Sequence, residues 1–297
     1  MNPTSPVGII NLNKPQYHSS RQAVNAVQDL SNPTKVGHAG TLDPLATGVL
    51  VVCVGAATKL VQYLHDHPKE YIVKFLLGTR STTDDVTGEL TESPDLPPVD
   101  RQHIEELLPR FIGQIEQVPP LYSAVHVNGE RAYKMARKGK SFAIAPRTVQ
   151  VNHFEIVKYH FPELVMRIEC GSGTYIRSIG RDLGELLGCG AVMSELTRTR
   201  VGPYLLEDAV TLDNLSSETW ENYLNPLATA VSHLPTISCT AEECANILHG
   251  VPVAVPANAI CEPDTPIALL TEQNQLACLA EFKAEERYLQ PRKVFLK

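Results

Sequence analysis

No stretch of the chain approaches the roughly 18 consecutive apolar residues that a membrane-spanning helix needs, so its 297 residues are expected to include no membrane span. Met1 to Val7 has no basic n-region and no long apolar run, and no secretory signal is read there. The seven cysteines are odd in number and scattered, with Cys239 and Cys244 the nearest pair. That spacing fits no zinc site, which predicts reduced thiols and a cytoplasmic protein. Positive charge is scarce as well, with 26 Lys and Arg against 33 Asp and Glu and a net charge of -7. A global excess of acid argues against a nucleic-acid partner, but binding depends on how charge is distributed. The acids gather at 89–100, Glu105-Glu106, 207–221 and 262–286. One long segment is left with the opposite sign.

What the chain does have is a glycine-dense stretch around a single carboxylate, Gly37-His38-Ala39-Gly40-Thr41-Leu42-Asp43-Pro44-Leu45-Ala46-Thr47-Gly48. The apolar run Val49-Leu50-Val51-Val52-Cys53-Val54 follows and reads as a buried strand. Asp43 is therefore expected on a tight loop held against the core. Taken alone, Asp43-Pro44 reads as a helix start or a turn. A phosphate-cradling reading fails because no Gly-Lys-Ser or Gly-Lys-Thr closes this loop.

GHAGTLDPLATGVL resembles the catalytic-loop motif of the TruB-type tRNA pseudouridine synthases, which make pseudouridine at position 55 in the tRNA T arm. The resemblance implies that Asp43 is the nucleophile and that His38 fills or props the gap left by a flipped base. A His in a glycine-rich turn is otherwise structural.

Along the chain, Ile9 to Pro15 reads as a strand entering a turn, and Ser19 or Ser20 caps a helix with Ala23, Val24, Val27 and Leu30 on its apolar face. Lys14-Pro15 is a solvated turn on its own terms. It is similar to the family's first motif, which implies Lys14 at the substrate, although Tyr17 stands where the family usually has Gly. Thr58 to Leu64 reads as a short helix. Lys69-Glu70-Tyr71 then opens an alternating strand with Tyr71, Val73, Phe75 and Leu77 on one face. An aromatic there is ordinarily core; the resemblance implies that Tyr71 packs on the target base. Asp84-Asp85 lies close to a family Thr-Asp-x-x-Gly segment and is expected to position Arg177 or the loops around it.

Residues 89–100 form an acidic, proline-rich connector, and Asp100 caps a helix carrying Ile104, Leu107, Leu108 and Phe111. From Arg131 to Arg147 the chain carries Arg131, Lys134, Arg137, Lys138, Lys140 and Arg147 with no acid among them, and with Tyr133 and Phe142 interleaved. A solvated face is the plain alternative, but such a run in an acidic protein favours phosphate contact. It lies where the family inserts an RNA-gripping segment, about 119–147 here.

Val149 to Val157 and Leu164 to Cys170 read as strands. Gly171-Ser172-Gly173-Thr174-Tyr175-Ile176-Arg177-Ser178 then opens a helix with Ile176, Ile179, Leu183 and Leu187 as its apolar positions. As helical neighbours two apart, Tyr175 and Arg177 diverge by about 200° and are expected to serve different partners. GSGTYIRS matches the family motif, which implies Tyr175 in the base pocket and Arg177 paired with Asp43. Met193 to Pro203 is similar to the last catalytic motif and implies Leu196 lining the uridine pocket, with Thr197 departing from the usual Leu-Arg-Arg. From Leu234-Pro235 onward, short apolar stretches separated by Pro and Gly predict a small β-rich module, similar in place and ending to the family's PUA-like domain.

The expectation is an α+β pseudouridine synthase core over 1–233, with a mixed, mainly antiparallel sheet and an RNA-binding insertion, followed by a PUA-like module over 234–297. The implied partner is tRNA, with no obligate protein partner, no cofactor and no metal, and a monomeric state. An RNA-binding or tRNA-chaperone protein with this fold and no turnover is the alternative. A glycoside hydrolase fits less well, because such enzymes usually need a carboxylate pair. A relative that works within a guide-RNA particle shares the catalytic motif, but the bacterial-looking insertion favours a stand-alone enzyme.

Overall fold

A computed structural model of the chain describes residues 5–92, 98–127, 129–256, 259, 261–263 and 265–296. Its larger sheet runs in the order Val210–Thr211, Gly8–Lys14, Thr47–Val54, Ala191–Val201, Lys69–Leu77, Glu163–Cys170, Arg147–His160 and Gly113–Gln117. Val36–Ala39 and Tyr204–Leu205 pair onto it from the side. Two of the pairings are parallel, Gly8–Lys14 with Val210–Thr211 and Thr47–Val54 with Ala191–Val201, and the others are antiparallel. The sheet is thus mixed and mainly antiparallel, in an α+β core.

The strand after the Asp43 loop is buried on both faces, which is why it reads as an unbroken apolar run. Val49, Val51 and Cys53 pack with Leu60, Leu64 and Val201. Leu50, Val52 and Val54 pack on the other side with Ala23, Val24 and Val27 of the Ser20–Ser31 helix. Ser19 caps that helix, and a capping box closes with Gln22. The expected Thr58–Leu64 helix is a 3-10 turn over Gly55–Leu60 continuing as an α-helix over Val61–Asp66. Tyr71, Val73, Phe75 and Leu77 face the core in strict alternation. Against them packs the Ile176–Leu186 helix, where Gly180 lets the Phe75 ring lie on the helix backbone.

Between the neighbouring strands Gly113–Gln117 and Arg147–His160, the chain projects as an excursion with a two-stranded ladder, His126–Val127 with Glu130–Arg131, and a short helix, Ala132–Arg137. The C-terminal part is a small β-rich, PUA-like domain. Its five-stranded sheet is ordered Thr236–Cys239, Ile267–Thr271, Leu276–Lys283, Tyr288–Val294, Val253–Ala254. It also holds a helix, Ala241–Leu248, capped by a Thr240–Glu243 capping box, which the short apolar stretches do not announce. The domain rests on the core: Ala268, Leu276 and Leu279 pack with Leu60 and Leu64, and the Lys293 ammonium donates to the Lys59 carbonyl at 3.0 Å.

Candidate active site

Asp43-Pro44 is a turn and starts no helix: the Ala46 N–H donates to the Asp43 carbonyl at 3.1 Å. Three groups from residues 14–20 hold this turn, and Arg198 holds the loop on either side of it. The Ser20 hydroxyl, buried, accepts from the Leu42 N–H at 2.8 Å and donates to the Leu42 carbonyl at 3.0 Å. The Tyr17 N–H donates to the Pro44 carbonyl at 2.7 Å. Lys14 puts its ammonium under the same turn, donating to the carbonyls of Pro15 at 2.9 Å, His18 at 2.6 Å and Pro44 at 3.4 Å. Arg198 donates to the carbonyls of Val49 at 2.7 Å and Gly40 at 3.0 Å. Gly48 is required beneath: its φ is +99°, and a Cβ there would drive into the Arg198 backbone. Leu42 and Leu45 anchor the loop in the same core cluster as Tyr71 and Leu196.

The Asp43 carboxylate meets Arg177 in a two-point pair, Nε to Oδ2 at 2.9 Å and Nη2 to Oδ1 at 3.1 Å. The Arg177 side chain is 6% exposed and that of Asp43 34%, so the guanidinium is sequestered while the carboxylate looks into the cleft. Arg177 also donates to the Thr83 carbonyl at 2.9 Å and the Tyr122 carbonyl at 3.2 Å. Asp85 Oδ2 lies 3.7 Å from its Nε. Asp85 is itself held by the Thr83 hydroxyl at 2.7 Å and the Thr87 N–H at 2.9 Å, while Asp84 pairs with Arg181 at 2.9 Å. A guanidinium with this many fixed acceptors is held in one orientation, and so is the carboxylate it grips.

The cleft has a volume of about 330 Å3, at the lower end of the range that holds small ligands. Asp43, Tyr71, Tyr175, Arg177, Leu196 and Arg147 all line it. Tyr175 sits just before the helix that begins at Ile176, so the helical divergence does not separate it from Arg177. The two do take different partners. Gln117 clamps the Tyr175 backbone at both its N–H (2.8 Å) and its carbonyl (3.1 Å), and the Arg147 guanidinium lies 4.6 Å from the Tyr175 ring centroid. Arg147 also donates to the Gly173 carbonyl.

Lys14 and His38 lie outside this cleft lining. Lys14 is 0% exposed and borders a separate cavity with Asn13, Thr47 and Thr197. A solvated turn does not describe it, because three carbonyls converge on that buried ammonium. Burial pushes its pKa down to about 8, against the pull of Asp43. His38 is half-buried in the Val36–Ala39 strand, off the cleft lining. Burial, with Arg21 and Arg198 nearby, holds its pKa below the usual range. Leu196 and Arg198 share the cleft face of their strand, and Thr197 turns away to meet the Thr47 hydroxyl at 2.9 Å.

Residues that sequence reasoning left out complete the site: Lys69, Arg198 and Gln117, with Tyr122, Ser123 and Ala124 from the start of the excursion on the cleft wall. The period-2 alternation around Tyr71 places Lys69 on the same strand face, and that was the available signal. The basic run is less free than its acid-free composition implied. Glu130, one position before it, pairs with Lys138 at 2.7 Å and Lys140 at 3.2 Å. Arg131, Lys134 and Arg137 form no ion pair among the described residues, although Arg137 lies 5.7 Å from the Tyr133 ring centroid.

Residues 28–176 match the model of the TruB family pseudouridylate synthase N-terminal domain, and residues 177–232 match that of the tRNA pseudouridylate synthase B C-terminal domain. The chain belongs to the TruB family. Among its TruB relatives, the tRNA pseudouridine synthase B of Francisella philomiragia is 41% identical over 226 residues, 76% of this chain and 75% of that protein. The tRNA pseudouridine synthase B of Microcystis aeruginosa is 38% identical over 291 residues, 96% of this chain and 98% of that one. A solved Cbf5–Nop10–Gar1 complex contains a chain 30% identical, superposing with a TM-score of 0.76 over 97% of this chain and 85% of its own. The segment matched as the TruB C-terminal domain ends before the PUA-like sheet begins.

Proposed function

We propose that the chain isomerises uridine to pseudouridine in the T loop of tRNA, at position 55, with Asp43 as the nucleophile. The observation that carries this reading is the two-point Arg177–Asp43 pair opening into a cleft lined by Tyr71, Tyr175 and Leu196. The reaction breaks the N1–C1′ glycosidic bond and rejoins the ring through C5. A C1′ centre losing its base is electron-poor, and an ionised carboxylate can attack it. Arg177 grips both oxygens of the Asp43 carboxylate and fixes its orientation at the cleft. Tyr71 packs on the loosened ring as it turns, with Leu196 beside it on the neighbouring strand. A T-loop base is stacked and has to be flipped out before chemistry.

In this reading Arg131, Lys134 and Arg137 meet phosphates directly. Lys138 and Lys140 exchange Glu130 for phosphate, at small cost because exposed ion pairs contribute little. Residues 234–297 form a second RNA-contacting module. Lys14 supports the Asp43 loop from behind.

The test is tritium release from C5-tritiated uridine in an unmodified tRNA transcript, with a T-loop U-to-C transcript as control. Release that disappears with the control transcript is the expected result. Binding without release would overturn the reading in favour of an RNA-binding protein without turnover, and release that persists in the control would overturn the T-loop assignment.

A further inference from the structure

Lys69 and Arg198 stand in the lining of the cleft, and among the described residues no carboxylate forms an ion pair with either. They flank Tyr71: Arg198 is its cross-strand partner in the antiparallel ladder, and Lys69 lies two residues before it on the same face. Both line the cleft, and they are 5% and 1% exposed. Lys69 donates to the His65 carbonyl at 2.6 Å and to the Ser172 hydroxyl at 3.4 Å, and Arg198 donates to the Val49 and Gly40 carbonyls. Among the described residues neither forms an ion pair, and Asp43 is taken by Arg177. Burial pushes Lys69 down to about 8, with Arg198 adding to the effect, so the ammonium is still charged at neutral pH. Two buried cations with no carboxylate in ion-pair contact are costly, and substrate that brings negative charge relieves that cost.

A phosphate does not fit this place. An RNA strand continues in both directions from every phosphodiester, so its phosphates stay at the mouth. The base is the pendant group that can end inside a cleft. Resting on the function proposed above, we infer that Lys69 and Arg198 are catalytic residues that hold the carbonyl oxygens of the detached uracil and stabilise its anion.

The N1–C1′ bond breaks with both electrons leaving on the ring, which becomes a monoanion with charge spread over N1, O2 and O4. C1′, left electron-poor, is taken by a carboxylate oxygen of Asp43. The ring turns about the axis through N3 and C6, which brings C5 to where N1 was and exchanges O2 with O4. Donors fixed against the carbonyl positions therefore serve the ring before and after the turn without moving. C5 then gives an electron pair to C1′, and the new bond forms as the bond from C1′ to the Asp43 oxygen breaks and returns the carboxylate. The C5 proton passes to water, and N1 takes a proton from water, so the product is an isomer with no net change in electrons or protons. Stabilisation of this kind acts on charge that develops during the reaction.

The experiment compares Lys69→Met, Lys69→Gln and Lys69→Arg with the wild type in single-turnover reactions on two transcripts. One carries uridine at the target position and the other 5-fluorouridine; conversion of the target nucleoside is read by chromatography and mass spectrometry, and tRNA affinity is measured in parallel. Fluorine stabilises the ring anion by itself, so it substitutes in part for the missing cation. The expected result is a loss of about 100-fold for Met and Gln on uridine, at least tenfold less on 5-fluorouridine, with affinity unchanged and activity partly restored by Arg. Gln keeps a donor for the His65 carbonyl, so it carries the test if the Met variant does not fold. An equal loss on both transcripts, or no loss, would overturn the inference. An inactive wild type would instead count against the proposed function.

Discussion

Replacing Tyr17 by glycine is expected to stabilise the protein. Tyr17 has φ +64°, in the left-handed region, and its side chain is 72% exposed. Its N–H nonetheless donates at 2.7 Å to Pro44, inside the Asp43 turn, so the conformation cannot relax without releasing the loop. A left-handed backbone costs an L side chain about 1–2 kcal/mol. Glycine removes that cost and gives back about 0.5–1 kcal/mol through the greater freedom of its unfolded chain. With little buried ring surface to lose, the net gain is about 0.5–1 kcal/mol, which for a chain of this size raises Tm by roughly 1–3 °C. Calorimetry on Tyr17→Gly, with Tyr17→Ala as control, makes the comparison. The alanine variant keeps the strained conformation and is expected at or below the wild-type Tm. A glycine variant that melts below wild type, or an alanine variant that gains as much as glycine, would refute the strain argument. Turnover should survive in both, because the N–H that holds Pro44 remains.

Two further expectations concern RNA and pH. Neutralising Arg131, Lys134 and Arg137 together should weaken tRNA binding and flatten its salt dependence by up to about one unit of slope for each phosphate left without its cation. Neutralising Lys138 and Lys140, which Glu130 already pairs, should do less; filter binding across a salt series separates the two sets, and equal effects would show that the Glu130 pairing does not matter. The charged form of Lys69 exists below its pKa of about 8, so kcat/KM should fall as pH rises through that value. Arg198, Cys170 and Asp66 are the charged or titratable groups acting on it, and Cys170, pushed up to about 11, stays neutral over this range. Lys69→Arg should carry the alkaline limb to higher pH, and a limb that stays in place would tie it to another group, with Lys14 the first to test.

Much of the scaffold was legible because local rules and tertiary needs agree. The unbroken run after Gly48, the alternation from Lys69 to Leu77 and the serine cap before Arg21 each name their own secondary structure. The Asp43 loop was legible as a loop from its glycines, and Gly48 shows why: the neighbouring strand passes too close for a side chain. The role proposed for its carboxylate rests on resemblance, since an Asp-Pro turn alone has no chemistry. What stayed hidden depends on groups meeting from far apart in sequence. Lys14 looked solvated because nothing nearby in the chain shows that the carbonyls of His18 and Pro44 converge on it. Arg198 and Gln117 are buried polar groups whose partners are backbone atoms, and composition does not show such partners. The basic run looked uncompensated because its counter-charge, Glu130, falls one residue outside it and reaches Lys138 and Lys140 only through the fold. The Ala241–Leu248 helix was missed although Thr240 and Glu243 spell a capping box, because the prolines and glycines around it dominated the reading.

The most direct test of the account is the Asp43→Asn variant in the tritium-release assay, with tRNA binding measured on the same preparation. The amide keeps the shape of the carboxylate and an acceptor for Arg177 but has no ionised oxygen to meet C1′. The account predicts no release above background with tRNA still bound. Substantial release from that variant would contradict the place given to Asp43 at the centre of the site.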